Sequence, residues 1–347
     1  MSSTTIETTD GVRLHVEITE ARARSDRDGP TVVLTHGWAL DSRSWGPVGA
    51  ALLESGGWGS GDWRSGSWAS RGWGSVGREF GTATQVVRYD HRGHGRSEAA
   101  EPVSMTLEQL ADDLAHVIAA TAPTGSLVLG GHSMGGMTIM ALAERHPRLV
   151  ERVAGVALVS TACGGLAGAT LGLSPRQARI IHAVEQRLYS SRRWARRATV
   201  GNLRVLAPAL RWLLFGQDAE PAAVRITTQS IASCRPVTVS GFRPALDTHE
   251  RDAALAAFAS IPTVVLVGSC DRLTPVSSAR RIAAALPSAR LTIFPKAGHM
   301  LPVERVAGVE NRIGDLVRNA IAATRSSVDH GHLSLMDFPE QPSACDR

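Results

Sequence analysis

Short apolar runs recur along the chain and alternate with helical patterns. "TVVLTHG" (31–37), "QVVRYD" (85–90), "SLVLGGHS" (126–133), "VAGVALVS" (153–160), "PTVVLVGS" (262–269) and "ARLTIFP" (289–295) are apolar at most successive positions. Strands that are apolar on both faces suit a parallel sheet covered by helices. "VRLHVEI" (12–18) alternates instead and reads as an edge strand. Between the runs, "TLEQLADDLAHVIAAT" (106–121), "GGMTIMALAERHP" (135–147) and "VERVAGVENRIGDLVRNAIAAT" (303–324) carry apolar residues at helical spacing. Pro147 stops the second of these. The alternation predicts an α/β fold built on a mostly parallel sheet.

Composition changes this picture little. A chain of 347 residues with a net charge of +5 is long enough to bury a large core, and it shows no helix-turn-helix, zinc-finger or RNA-binding signature. Nucleic acid is therefore not an expected partner. The cysteines Cys163, Cys234, Cys270 and Cys345 are scattered and form no metal-ligand spacing, which predicts reduced thiols, a cytoplasmic setting and no bound metal. The start, "MSSTTIETTDGVRLHV", has no secretory pattern. The uncharged run from Val153 to Pro175 reads as a buried strand followed by a glycine-rich loop, too broken for a membrane span.

The candidate chemistry lies in "GGHSMGG". Gly131-His132-Ser133-Met134-Gly135 falls between an apolar strand and a helix, the setting that makes G-x-S-x-G informative. Glycines two before and two after the serine let the backbone fold closely on itself, and the hydroxyl projects near a helix N-terminus. A serine hydroxyl needs a base, and the base needs an orienting group. Asp271 in "VVLVGSCDRLTP" and His299 in "LTIFPKAGHMLP" each follow a late strand. The order Ser133, Asp271, His299 is the nucleophile–acid–base order of an α/β-hydrolase.

Here the chain resembles the α/β-hydrolase fold superfamily, in the branch of small serine hydrolases that includes esterases, lipases and haloperoxidase-like enzymes. The resemblance covers roughly 5–160 and 250–322. It is also carried by "THGW" (35–38), the family's His-Gly turn, and by "YDHRGHGRS" (89–97), its Asp-x-Arg-Gly-x-Gly-x-Ser turn. The resemblance implies an eight-stranded, mostly parallel sheet with a helical cap inserted after strand 6. It implies a core of 1–160 and 251–325, a cap over 161–250, and an oxyanion hole made by the backbone N–H groups of Trp38 and Met134. The expected activity is hydrolysis of a carboxylic ester through an acyl-enzyme, with no cofactor. A thioesterase, a carbon–carbon bond hydrolase or a cofactor-free perhydrolase would use the same three residues, and a ligand-binding receptor with an idle triad is the non-enzymatic alternative. Serine at the elbow separates the chain from dehalogenases and epoxide hydrolases, which use aspartate there, and from dienelactone hydrolases, which use cysteine.

Three further features stand apart. His36, His91, His94 and His132 read as structural or pocket-lining, and Asp112, Asp113 and His116 as a solvated helix face rather than metal ligands. Between Thr161 and Gln217 stand nine arginines and one acid, Glu185. This is either a solvated basic face or a cap that draws a hydrophobic or anionic ester and touches a membrane surface peripherally. Finally, Trp58, Trp63, Trp68 and Trp73 recur every fifth residue within a Gly/Ser-rich stretch. Five residues advance a helix so that successive tryptophans lie about 140° apart and form no stripe. The stretch 55–78 reads as a Gly/Ser/Trp loop insertion. The resemblance places it after the first helix, at the sheet edge opposite the family's active site. It is therefore expected to be padding remote from Ser133, with an aromatic patch for a partner or membrane as the alternative, and 326–347 is expected to be a loosely ordered tail.

Overall fold

The computed structural model describes residues 1–21, 29–53, 83–166 and 203–334. The strands are β1 (Ser2–Glu7), β2 (Arg13–Glu20), β3 (Thr31–Thr35), β4 (Gln85–Tyr89), β5 (Leu127–His132), β6 (Val153–Val159), β7 (Thr263–Gly268) and β8 (Arg290–Phe294). They form one sheet in the order β1-β2-β4-β3-β5-β6-β7-β8. The pairs β1·β2 and β2·β4 are antiparallel, and every other pair is parallel. The alternating run at 12–18 is therefore not the edge. β1 lies outside it, and that strand escaped notice because its "SSTTIE" is exposed at every position but Ile6.

Successive residues of the central strands point to opposite faces, and each face carries its own core. Val33, Leu129, Leu158 and Val265 pack against α2 (Leu107–Thr121) and α3 (Met134–Arg145). Val32, Val128, Ala157 and Leu266 pack on the other side, where Val48 of the short helix α1 (Gly46–Ala51) meets the C-terminal helix. Thr106 caps α2 by accepting from the Gln109 N–H, at the position the sequence marks as its start. After α3 a single helical turn, α4 (Pro147–Val150), leads into β6.

Between β6 and β7 the chain inserts α5 (Leu203–Leu214), α6 (Pro221–Ser233) and α7 (Pro236–Asp247). They touch the core where strands end. Trp38, just past β3, donates its indole Nε1–H to Val239 O at 3.2 Å. Arg235 and Thr238 donate to Gly93 O, past β4, at 2.8 and 3.0 Å. The backbone N–H of His299, past β8, donates to Leu214 O at 2.7 Å. The three helices thus form a layer over the carboxyl edge of the sheet.

The chain closes with α8 (Val276–Ala285), α9 (Leu301–Glu304) and α10 (Val306–Ser334). The last helix runs ten residues past the periodic stretch that ends at 324, since no proline intervenes before Pro339. Among the described residues no helix is long and apolar enough to cross a membrane.

The tryptophan repeat and most of the arginine-rich segment lie outside the described residues. The anchors of the repeat do not. Leu53 and Ala83 are buried beside Val86, and Thr84 N donates to Pro30 O at the amino edge, opposite Ser133. Deleting 56–77 is accordingly expected to leave a folded protein with turnover within about threefold of the parent; steady-state assay of the purified deletion checks this, and a folded but inactive product would refute it.

Candidate active site

Ser133 sits between β5 and α3 at φ 54° and ψ −118°, a region that costs a non-glycine residue about 1–3 kcal/mol. Several bonds hold it there. Its N–H donates to Val159 O at 2.9 Å, and its carbonyl accepts from Gly136 N (2.9 Å) and from the Thr161 hydroxyl (2.7 Å). The two flanking glycines are required by close approach. A Cβ on Gly131 would lie 2.5 Å from Gly136 N, and one on Gly135 would overlap Thr35 O.

Asp271 and His299 come from the loops after β7 and β8, which the β7·β8 register sets side by side. The imidazole Nδ1–H points at both carboxylate oxygens, at 2.9 and 3.0 Å. Asp271 also accepts from Leu273 N (3.0 Å), Thr274 N (2.9 Å) and the Thr274 hydroxyl (2.9 Å). Burial pushes this carboxyl up, but the His299 imidazole and the Thr274 donors outweigh it and hold the carboxyl below its ordinary value. With Nδ1 committed as donor, the other ring nitrogen is left as the acceptor that a base requires.

The third cluster is the turn after β3. His36 Nδ1–H donates to Gly37 O at 2.8 Å, while its Nε2 accepts the His91 backbone N–H at 3.0 Å. The rings of His36, His91 and His94 pack edge to face, with His36–His91 centroids 4.4 Å apart. This fixes the peptide after Gly37 against the elbow, where a Cβ on Gly37 would come 3.1 Å from the Ser133 Cβ. Among the described residues the backbone N–H groups of Trp38 and Met134 have no acceptor. The four non-glycine residues with positive φ among the described residues are Ala39, Ser133, Ser160 and Lys296, and all lie just past strand ends at this one edge.

Of the residues singled out from sequence, Asp271 and His299 are in direct contact. Ser133 stands at the same edge, and among the described residues no hydrogen bond joins its hydroxyl to His299. The link runs through its neighbour: His132 Nε2–H donates to His299 O at 2.9 Å, with ring centroids 4.9 Å apart. Such contacts commonly tighten only when substrate is bound.

One expectation is corrected. Asp113 is not on a solvated face but fully buried, where it pairs with the buried Arg92 of the "YDHRGHG" turn at 2.6 Å. Arg92 also reaches Asp10, so that turn ties β2's start to α2. Asp112 is on the outer side and pairs with Arg145 and His146. Among the described residues no group of three potential metal ligands occurs. One contributor was missed: Thr274, signalled by the D-x-x-T spacing ahead of a helix.

Residues 30–306 match the alpha/beta hydrolase fold family. The pimeloyl-acyl-carrier-protein methyl ester esterase of Chromobacterium violaceum is 29% identical over 78% of this chain and 87% of its own length. A protein of Variovorax paradoxus provisionally named as the carbamate hydrolase RutD is 25% identical over 89% of this chain and 97% of its own. A thermophilic esterase of Thermogutta terrifontis superposes with a TM-score of 0.67 at 24% identity, over 92% of this chain and 99% of that one, a likeness of fold.

The buried histidines have a consequence for stability. Burial holds His36 and His91 below the ordinary value of 6.5, and His94 and His132 at about 3. The unfolded chain takes up these protons near pH 6.5, whereas the folded chain does not. Their share of stability is thus complete above that pH and is lost as the pH falls below 6.5, down to about 3 for His94 and His132. Urea unfolding at pH 7.5, 6 and 5 should show a falling midpoint; a midpoint constant across that series would contradict the neutral assignment.

Proposed function

The chain belongs to the alpha/beta hydrolase fold family, and on that premise we propose that it is a serine hydrolase that cleaves a carboxylic ester through Ser133, His299 and Asp271. The observation that carries the reading is the His299–Asp271 contact at the edge where the strained Ser133 stands, with two unpaired N–H groups beside it.

Ser133 Oγ attacks the ester carbonyl carbon, and His299 Nε2 takes its proton. The resulting imidazolium keeps its Nδ1–H on the ionised Asp271, which fixes the tautomer and stabilises the positive charge. The carbonyl oxygen, now anionic, accepts from Trp38 N–H and Met134 N–H. Loss of one such donor typically raises a barrier by about 3 kcal/mol. As the carbon–oxygen bond breaks, Nε2–H protonates the leaving alkoxide. Water then attacks the acyl-enzyme with His299 again as base, releasing the acid and restoring Ser133.

The helical layer α5–α7 over the strand ends supports its role as the cap that selects the acyl group. The arginine-rich composition of 161–217 favours a hydrophobic or anionic ester and would also suit peripheral contact with a membrane. The free thiols Cys163, Cys234 and Cys270 suit the cytoplasm. A carbamate is the second substrate class, because its carbonyl is open to the same attack and the full-length Variovorax relative bears that name.

Fluorophosphonate labelling with turnover of p-nitrophenyl esters of graded chain length, beside an aryl carbamate, tests the reading. Wild type should label and hydrolyse. Ser133→Ala should neither label nor turn over, a loss on the order of 10⁶-fold in kcat at an unchanged melting temperature. Asp271→Asn should lose about 10⁴-fold. A wild-type protein that binds esters without labelling would be a receptor rather than an enzyme.

A further inference from the structure

We infer that Glu304 is a positioning residue for the base: its buried carboxylate bonds the end of α5 to the loop that carries His299, and so holds the imidazole in its pose against Asp271. The inference rests on His299 being the base, as proposed above.

The geometry is specific. Glu304, at the end of α9, directs Oε1 to two backbone donors, Gly298 N at 2.9 Å and Gly216 N at 3.0 Å. Gly298 is one peptide before His299, and Gly216 lies two residues past the end of α5. Around this oxygen the two segments run against each other. His299 N and Met300 N both donate to Leu214 O, at 2.7 and 3.2 Å, and Gln217 N donates to Lys296 O at 3.2 Å. The approach is so close that a Cβ on Gly298 would fall on the Phe215–Gly216 peptide, and one on Gly216 on Lys296 O. Lys296 at the head of the loop has φ 56°, so the loop does not hold this shape unaided.

A double acceptor is the group this junction calls for. No strand or helix satisfies the N–H groups of Gly216 and Gly298, and leaving such donors unmet in a buried place costs about 1–3 kcal/mol each. One side-chain oxygen accepts both, and burial pushes the carboxyl above its ordinary value in spite of these bonds, so the acceptor oxygen rather than the charge is what the junction uses. Oε2 is buried with no partner among the described residues, so the side chain gains nothing elsewhere in exchange for its desolvation. The acid loop is tied to the same helix end, since Arg272, next to Asp271, donates to Trp212 O at 2.6 Å and stacks on its ring at 4.6 Å. The helix end thus serves as a common backing for acid and base loops, and Glu304 is the bolt on the base side.

The test compares Glu304→Gln, Glu304→Asp and Glu304→Ala by the rate of Ser133 phosphonylation with a fluorophosphonate, by kcat and KM on a p-nitrophenyl ester, and by melting temperature. The amide oxygen of Gln can still accept both N–H groups, so that variant should stay within about threefold of wild type. Asp keeps the charge but falls one methylene short, and should lose about tenfold in kcat and labelling rate at nearly unchanged KM. Ala should lose up to about 100-fold, the scale set by misplacing a reacting group by about 1 Å. The Nδ1–H resonance of His299, far downfield in wild type, should weaken in Asp and Ala and persist in Gln. A folded Ala or Asp variant that labels at the wild-type rate overturns the inference, as does a Gln variant as slow as Ala, which would assign the effect to charge. Should Ala fail to fold, the Asp and Gln pair decides. If wild type itself does not label, it is the serine-hydrolase reading that has failed.

Discussion

A carboxylate without water is the constraint on which the site depends. Asp271 is buried, and taking its charge out of water costs several kcal/mol unless its lone pairs are used. The structure uses them all locally: two backbone N–H groups and one hydroxyl from the turn 271–274, and the Nδ1–H of His299. The same bonds that make the charge tolerable also set the tautomer of the imidazole. Electrostatic satisfaction of the carboxylate and the pose of the imidazole are one arrangement here.

Why these groups meet at all follows from the sheet. β4, β3, β5, β6, β7 and β8 pair parallel, so their carboxyl ends share one edge, and residues as far apart in sequence as His132 and His299 become neighbours. Turns leaving that edge must reverse sharply over a crowded surface. The four positive-φ residues outside glycine, Ala39, Ser133, Ser160 and Lys296, fall in those turns and nowhere else among the described residues. Strain of about 1–3 kcal/mol at each persists only where surrounding bonds over-determine the backbone. At Ser133 those bonds are visible, and among the described residues neither its hydroxyl nor the adjacent Met134 N–H has a hydrogen-bond partner.

How far the sequence alone reaches depends on whether a feature is local. The elbow was legible because strand, glycines and serine are contiguous. Asp271 and His299 were legible because each follows an apolar run directly. Thr274 had a short-range signal in D-x-x-T, which is also a common helix start and so does not stand out. Asp113 was misread because a helical pattern tells which positions share a face but not that a buried arginine from a distant turn occupies that face. β1 was invisible, since a two-sided exposed strand has no apolar period. Glu304 in "LPVERV" looks like any acid in a surface turn. Its role exists only once Gly216, nearly ninety residues earlier, is brought against Gly298.

That last case bears on the helical layer as a whole. Coverings of this sort are often treated as removable lids on a finished catalytic core. Here the layer contacts the candidate site at three points: Leu214 O holds the His299 backbone, Trp212 O holds Arg272 beside Asp271, and Val239 O holds the indole of Trp38. Each contact is a main-chain carbonyl of the layer, so each is indifferent to which side chains the layer displays. Such an arrangement separates two demands. The backbone of α5 and α7 holds the turns that carry His299, Arg272 and Trp38, while side chains on the same helices are not bound by those contacts. Substitution within the layer then leaves these contacts in place, whereas a shift of its backbone would disturb all three loops together.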